Sequence, residues 1–568
     1  GPDLRAGVEE VRVAPMRWIP PSRRDVIAAL AGLPALSAFL EACGPRGAKV
    51  PRYDGEIVGG SATLGHRLLA GDLHLRPVVR TERTGTAILG GGISGLSAAW
   101  TLARAGYSDF QLYEAEPELG GNARSGRNAV SKYPWAAHYV PVPAGENPAL
   151  EALLDEAGAI AERGKDGRPV WDEAALIREP EERLYFHGQW VEGLYPRLGA
   201  TREDLSQFAH FERAMRTFSA ARDGKGRRAF ALPRRHSSPD AEFAALDRLS
   251  MAEWLAGNSY TSRRLLWFVE YGCRDDFGSS LAETSAWAGI HYFAARLEGT
   301  SLEDDPAPFL TWPEGNGRLV AVLAKPAAGK LRTGALVFDV EPSRSGVVLR
   351  YYDPAHDEVV QVEARHAVCA MPHFVARYAV APLRERGREQ DAVFDYAPWL
   401  VANVTLRERP EPHGFPMAWD NVIYSSKSLG YVVATHQAGS DYGPTVLTWY
   451  HAFAGEATLP ARKKLLSGSW GDLAATVVAD LSLAHRDIAE KIERIDLYRW
   501  GHAMARPSPG TLFNPGRRQA SEAIGRLRFA HADLSGLPLF EEANDAGVRA
   551  AESILSEERL PFSRLATP

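Results

Sequence analysis

Three glycines and one carboxylate, at fixed spacing, carry the first chemical signal in this 568-residue sequence. Gly90, Gly92 and Gly95 form a GxGxxG turn between the apolar run 86–89 and a helix-forming stretch, 96–105, that Gly106 closes. In such a turn the first glycine permits a sharp reversal, the second lets the backbone approach a pyrophosphate, and the third lets the helix pack close to the strand. The helix start adds free N–H groups and a positive dipole end. Glu114 follows Gly95 by 19 residues, at the end of the strand-like run 110–113, where a carboxylate can accept hydrogen bonds from ribose hydroxyls. The chemistry these residues suit is binding of a dinucleotide; the competing reading is a glycine-rich turn beside a surface glutamate.

The elements that must hold this turn form a strand, tight turn, helix, strand unit, and a right-handed crossover makes its two strands parallel neighbours. A helix is expected over 148–157, a strand over 184–194, and mainly helices over 202–300, at 251–256, 262–271 and 281–293. Short β-rich runs at 336–340, 347–352 and 359–362 are separated by turn signals and imply a meander. A second antiparallel sheet is expected from 401–406, 421–424, 431–435 and 445–453, then helices over 478–492 and 547–555.

Composition narrows the class. The chain is too long for one ordinary core, so two domains are expected. Hydrophobic residues at 45% and charged residues at 24% are ordinary globular values, and 65 basic against 71 acidic side chains leave a net charge of −6, which does not suggest nucleic acid. Cys43, Cys273 and Cys369 lie far apart without CxxC spacing, so neither a metal site nor a disulfide framework is indicated. No Ser-His-Asp arrangement is evident.

The residues after Glu114 separate one cofactor from another. The stretch Glu114-Ala115-Glu116-Pro117-Glu118-Leu119-Gly120-Gly121-Asn122-Ala123-Arg124-Ser125 resembles the second pyrophosphate loop of the flavin-containing amine oxidase superfamily, which includes phytoene desaturases and protoporphyrinogen oxidases. The resemblance runs through most of the chain and implies FAD. In the family a basic residue usually comes directly after the paired glycines; Asn122 stands there, so either Arg124 supplies the positive charge or backbone donors alone meet the pyrophosphate. Trp312-Pro313-Glu314-Gly315 is similar to the segment that re-enters the FAD domain. Val337 falls where the family clasps adenine with backbone groups, and 367–372 looks like the return strand. Near the end, Leu527-Arg528-Phe529-Ala530-His531-Ala532-Asp533 resembles the last cofactor motif, with Asp533 as the acid near the flavin's ribityl or phosphate region. Phe540-Glu541-Glu542 opens the terminal helix, whose positive end faces the flavin pyrimidine ring. No cysteine lies near this motif, which implies noncovalent FAD.

The fold this implies is α/β: a Rossmann-type FAD-binding domain interleaved with an α+β substrate domain containing an antiparallel sheet. The FAD-binding parts are 83–150, 311–375 and 501–568, and the substrate parts 151–310 and 376–500. With the chemistry carried by the cofactor, the protein's task is to orient a C–H bond and exclude water. His138 lies where family members pass beside the isoalloxazine, and is read either as a flavin or substrate contact or as a structural histidine. The segment Trp500-Gly501-His502 resembles the strand that crosses toward the flavin in desaturases and protoporphyrinogen oxidases, making Trp500 and His502 candidates for the substrate face. Tyr271, Trp287 and Tyr292 are read as core rather than cavity lining. Asn403 occupies the position of a lysine common in amine oxidases, and Leu537 sits near one expected aromatic wall. The expected reaction is hydride transfer from a C–N or C–C bond of a small or apolar substrate to flavin N5, with oxygen or another acceptor reoxidising the flavin. The alternatives are a carotenoid-type desaturase or isomerase and a noncatalytic FAD- or NAD-binding scaffold.

The N-terminus carries an address signal. Ser22-Arg23-Arg24-Asp25 before the apolar run 26–40 resembles a bacterial twin-arginine export signal, and Leu40-Glu41-Ala42-Cys43 resembles a lipoprotein cleavage box. Residues 1–43 are therefore read as a signal, with a lipid anchor at Cys43 and a periplasmic or membrane-anchored location; the alternative is an amphipathic surface helix on a cytoplasmic protein. Residues 44–82 read as a connecting arm.

Overall fold

The computed structural model describes residues 53–60, 62–143, 145–297, 309–386 and 392–566. The export motif, the apolar run after it and Cys43 lie outside the described residues. Among those described, no helix is long and apolar enough to cross a membrane.

Two sheets organise the molecule. The first is built on β1 (Val78–Leu89), which leads into α1 (Ile93–Arg104) and β2 (Phe110–Tyr113). β1 and β2 run parallel, with Thr86 opposite Phe110 and Leu89 opposite Tyr113. β1 also pairs in parallel with β3 (Glu358–Cys369), whose last residues pair with Leu527–Phe529. The runs expected at 359–362 and 367–372 are thus one long strand. β1 is longer than expected as well, because its outer half, Val78-Val79-Arg80-Thr81-Glu82-Arg83-Thr84, has no apolar alternation to announce it. That half is held by pairing with β3 and by exposed ion pairs such as Arg80 with Glu358 and Arg83 with Glu363. The segment read as an arm therefore ends inside a strand, after a helix over Ala62–Ala70.

A helical layer fills 202–294. Two of its helices start with reciprocal caps, Thr201 with Asp204 and Ser250 with Glu253. The longest buried member after these is α2 (Arg263–Phe277), ended by Gly278 at φ 60°. Phe211, Phe230, Phe277 and Trp287 form the aromatic interior of this layer.

The second sheet has β4 (Tyr396–Leu406) near its middle, buried along its whole length, and β5 (Ile492–Ala505) antiparallel beside it. On the other side of β4 come Thr445–Ala452, Gly430–Val433, Asp420–Ile423 and the hairpin of Glu182–Phe186 with Gln189–Glu192. The helix expected over 478–492 is corrected here: a helix over Trp470–Leu481 ends inside that range, a short helix follows at Ile488–Lys491, and Ile492 already begins β5. Val477 and Leu481 from one helix, Ile488 from the next and Ile492 from the strand enter one core in succession, so the apolar spacing imitates a single continued helix.

The terminal helix α3 (Phe540–Glu557) returns to the first sheet and packs on α1. The approach is close enough that a Cβ on Gly547 would lie 2.1 Å from the Ser94 carbonyl oxygen, and Asn544 Nδ2 donates to Ser97 Oγ at 2.9 Å.

Candidate functional site

The glycine turn does what its spacing requires. Gly90 has φ 112°, and a Cβ there would stand 2.9 Å from the Ala370 carbonyl oxygen. A Cβ on Gly95 would stand 1.9 Å from the Gly90 carbonyl oxygen, so α1 can leave β1 at this angle only with glycine at that position. Gly92 differs: a Cβ there would meet nothing within 4 Å. Gly92 caps α1 without any side-chain hydrogen bond, and Ser94 Oγ, buried in the first turn, has no partner among the described residues. First-turn amides and an unpartnered hydroxyl thus stand at the start of α1 beside Gly92, a donor set that suits an anionic phosphate.

The paired glycines close over the same space. Gly120 and Gly121 take φ 110° and 54°, a Cβ on Gly121 would lie 3.4 Å from the Gly92 Cα, and the Gly120 amide donates to the Gly91 carbonyl at 2.8 Å. Asn122 Nδ2 donates to the Ala503 carbonyl, tying the loop to β5. Arg124 is buried and donates to Tyr498 Oη at 2.8 Å and to the Glu118 carbonyl at 3.1 Å, so its guanidinium braces the loop against β5. Glu114 accepts from the Gly91 amide at 2.6 Å and the Glu116 amide at 2.8 Å, while burial raises its pKa. Val337 stands at a register shift between Val337 and Asp339, where a bulge leaves backbone groups outside the ladder.

The late stretch converges on this cradle. Asp533 Oδ2 accepts from the His373 amide at 2.7 Å and from Tyr396 Oη at 2.6 Å, and these donors with His531 hold its carboxyl well below the usual range. Phe540 is buried at the start of α3. Glu542 accepts from the Arg234 amide at 2.5 Å; Glu541 is 4% exposed, and its Oε1 has no partner among the described residues. Burial raises both carboxyls to about 7.

A second group of side chains lies beyond the cradle. His138 stacks on Tyr450 with centroids 4.9 Å apart, faces Trp419 at 5.4 Å, and is pushed down to about 4 by burial. Its neighbour Tyr139 donates to Asp275 Oδ2 at 3.2 Å and approaches Asp276 Oδ1 at 3.5 Å. Arg296 Nη2 pairs with Asp276 Oδ2 at 2.6 Å, and Tyr271 donates to Asp420 Oδ2 at 2.9 Å. Burial, reinforced by Asp276, lifts Asp275 to about 7, and burial with Asp275 lifts Asp420 well above its ordinary value. Asp275, Asp420, Tyr139 and Tyr292 keep some accessible surface while lying deep among protein atoms, as groups lining an interior chamber do.

The expected core reading holds for Trp287, which is fully buried, and for Tyr271, which sits in a buried cluster with its hydroxyl on Asp420; Tyr292 is partly buried against the helical core, with its hydroxyl at Asp275. Trp500 stacks on Tyr498 at 3.9 Å and donates to the Trp135 carbonyl, and His502 stacks on Phe374 at 4.1 Å, pushed down to about 3 by burial. Asn403 has both ends of its amide engaged, donating to the Pro134 carbonyl at 3.0 Å and accepting from Thr448 at 2.7 Å. Leu537 is buried in the helical core. Sequence reasoning missed Asp275, Asp276, Arg296 and Asp420. One signal was available: two adjacent carboxylates in the last turn of a helix oppose its dipole and need another reason to be there.

Fold and cradle together define an α/β protein with a Rossmann-type dinucleotide-binding domain. Residues 88–157 match the NAD(P)-binding Rossmann-like domain family. No curated protein matches the sequence. Among solved structures the chain is similar to putrescine oxidase in its wild-type form bound to putrescine, at 18% identity and TM-score 0.62, over 84% of this chain and 100% of that one. It is also similar to cyclohexylamine oxidase from Brevibacterium oxydans IH-35A, at 19% identity and TM-score 0.60, over 84% and 99%. A CLA-producing fatty acid isomerase from P. acnes is similar at 12% identity and TM-score 0.55, over 84% and 98%. The chain has the fold that these proteins share.

Proposed function

We propose that the chain is an FAD-dependent oxidoreductase, holding FAD noncovalently and oxidising a C–N or C–C bond of an organic substrate by taking a hydride from the C–H bond at its carbon. The observation that carries the reading is convergence: the Gly90–Gly95 turn and the Gly120–Gly121 loop close on each other at Gly92, and α3 packs on the same helix through Asn544 and Gly547. The residues suit that cofactor. First-turn amides of α1 and Ser94 Oγ would meet its pyrophosphate, Glu114 the adenosine ribose, the bulge at Val337 its adenine, and Glu541 and the α3 terminus its ring system. When bound, the flavin supplies the hydride acceptor and the substrate oxidation is its chemistry.

What this chain's side chains do is orient and enclose. His138, Tyr450 and Trp419 offer aromatic faces beside the chamber, and His138 with its depressed pKa is neutral at pH 7, so it adds no positive charge there. Cofactor extraction tests the proposal: denaturation should release intact FAD, and a colourless protein unable to take up flavin would refute it. Oxygen or another acceptor then restores the flavin, and anaerobic bleaching by substrate separates turnover from a scaffold role.

A second reading, desaturation or isomerisation of a polyene or fatty chain, draws support from Asn403. Its fully engaged amide replaces the lysine of the amine oxidases, and the fatty acid isomerase has the same fold. Peroxide release on adding amines favours the first reading, and polyene conversion without peroxide the second.

A further inference from the structure

A surface helix on the second sheet has no part in the cradle or the acidic cluster. The helix Thr458–Ser467 lies on β4 and β5, tied down by Arg462, whose Nε donates to the Gly501 carbonyl at 2.7 Å and whose Nη2 donates to the Tyr396 carbonyl at 2.6 Å. Its inward side is Ala461 and Leu465, four residues apart and both buried. Its outward side is apolar as well. Leu459 and Leu466, seven residues apart and therefore on one face, are 67% and 49% exposed, and exposed Lys463 stands between them. A single exposed leucine needs no explanation, but two on one face of a helix already anchored by its other face form a patch.

Charge gives the patch a partner. From Ala457 to Gly471 the sequence has three basic residues and no acid, in a chain whose net charge is −6. Lys463 and Lys464 are exposed and form no ion pair among the described residues. Arg499 donates from Nη1 to the Leu466 carbonyl at 2.7 Å and so adds another cation at the end of the helix. The same edge of the sheet receives the chain from its N-terminal side. Asp54 bridges to Arg494, Ile57 and Val58 pair with Leu497 and Tyr498 of β5, and a Cβ on Gly55 would lie 2.9 Å from the ring of Trp470, three residues beyond Ser467. Ten residues separate Tyr53 from Cys43, the expected site of lipid attachment, a reach of at most about 36 Å.

We infer that the outward face of the helix Thr458–Ser467 docks on an anionic lipid surface, with Leu459 and Leu466 entering the boundary between headgroups and acyl chains and Lys463, Lys464 and Arg499 meeting lipid phosphates. A helix lying in that plane gains from the apolar area it buries and from attraction to anionic lipid. Leucines on the crest of a surface helix, flanked by unpaired lysines and next to the strand where the N-terminal segment joins the sheet, fit a plane of negative headgroups. The face is remote in chemistry from the flavin, so FAD content reports folding and not docking.

The test is sedimentation of the full chain with vesicles of phosphatidylcholine alone or with about 30% phosphatidylglycerol added. Protein should pellet with the anionic vesicles and far less with the neutral ones, and about 0.5 M salt should release it. The apolar run 26–40 is present in every sample, so full-length variants isolate the helix. Leu459→Ser with Leu466→Ser, and Lys463→Glu with Lys464→Glu, should each weaken binding to anionic vesicles at least about tenfold, with thermal melt and FAD content unchanged. If one pair misfolds, the other pair and the wild-type dependence on lipid charge and salt decide. Equal pelleting with both vesicles, no pelleting of the wild type, or a folded double variant that pellets like wild type would each overturn the inference. Light scattering without vesicles covers the other occupant: a wild-type dimer that the leucine variant dissociates would assign the face to a second copy of the chain and overturn the lipid reading.

Discussion

Around Gly92 the polar groups are backbone amides with no freedom to move; around Asp420 they are titratable side chains whose charge depends on what else is present. The cradle is rigid because several of its glycines are set by a backbone neighbour: Gly95 against the Gly90 carbonyl, Gly121 against Gly92, Gly547 against Ser94. The chamber has no such constraint. Its carboxyls are held by side-chain partners, Tyr139 for Asp275, Tyr271 for Asp420 and Arg296 for Asp276, and burial raises their pKa values. A rigid, neutral donor set suits a permanent anionic cofactor, and a titratable acidic set suits a ligand that must come and go.

The comparison breaks hardest at Gly95. Gly95→Ala forces a Cβ to 1.9 Å from a carbonyl, and the variant should lose more than about 3 kcal/mol of stability and all bound flavin, as a denaturant melt and an absorption spectrum would show. Gly92→Ala sharpens the contrast. Its Cβ meets nothing in the protein, so stability should change by less than about 1 kcal/mol while FAD content falls steeply; normal FAD content would mean that the space beside Gly92 is not the phosphate site. Glu114→Ala removes the acceptor of two backbone amides and should cost about 1–3 kcal/mol and weaken FAD retention; unchanged retention would count against its ribose contact.

The smallest effect expected lies between the two regions. Glu541 has a folded-state pKa of about 7, above its unfolded value of 4.5, so the folded protein holds the extra proton and stability falls as pH rises between those values. Glu541→Gln removes that dependence. FAD-free variant should melt higher than FAD-free wild type at pH 8, by about 1–3 kcal/mol, and alike at pH 4. A variant less stable at pH 8 would show that the carboxylate has a cation partner.

Legibility divided along the same line. The turn, the paired glycines and the start of the terminal helix could be placed because each is a local backbone requirement that only particular residues meet. β1 was seen only in its last residues, since Val78 to Thr84 are held by a strand nearly three hundred positions away and carry no alternation of their own. The start of β5 was read as helix because its first apolar residue keeps helical step with those before it. Tyr271 was read as packing, and it does lie in a buried cluster; that its hydroxyl also reaches Asp420 is decided only once the strand Asp420–Ile423 is laid against α2.

By itself the sequence determined the dinucleotide turn, the α/β class and the order of the pieces around the turn, because glycine spacing, strand runs and caps act over a few residues. Only the tertiary structure decided that acids from α2, from the strand after Trp419 and from α3 lie within electrostatic reach of one another, with Arg296 paired to Asp276. Charge excess of that kind is a property of distances between remote segments, and nothing within any one of them records it.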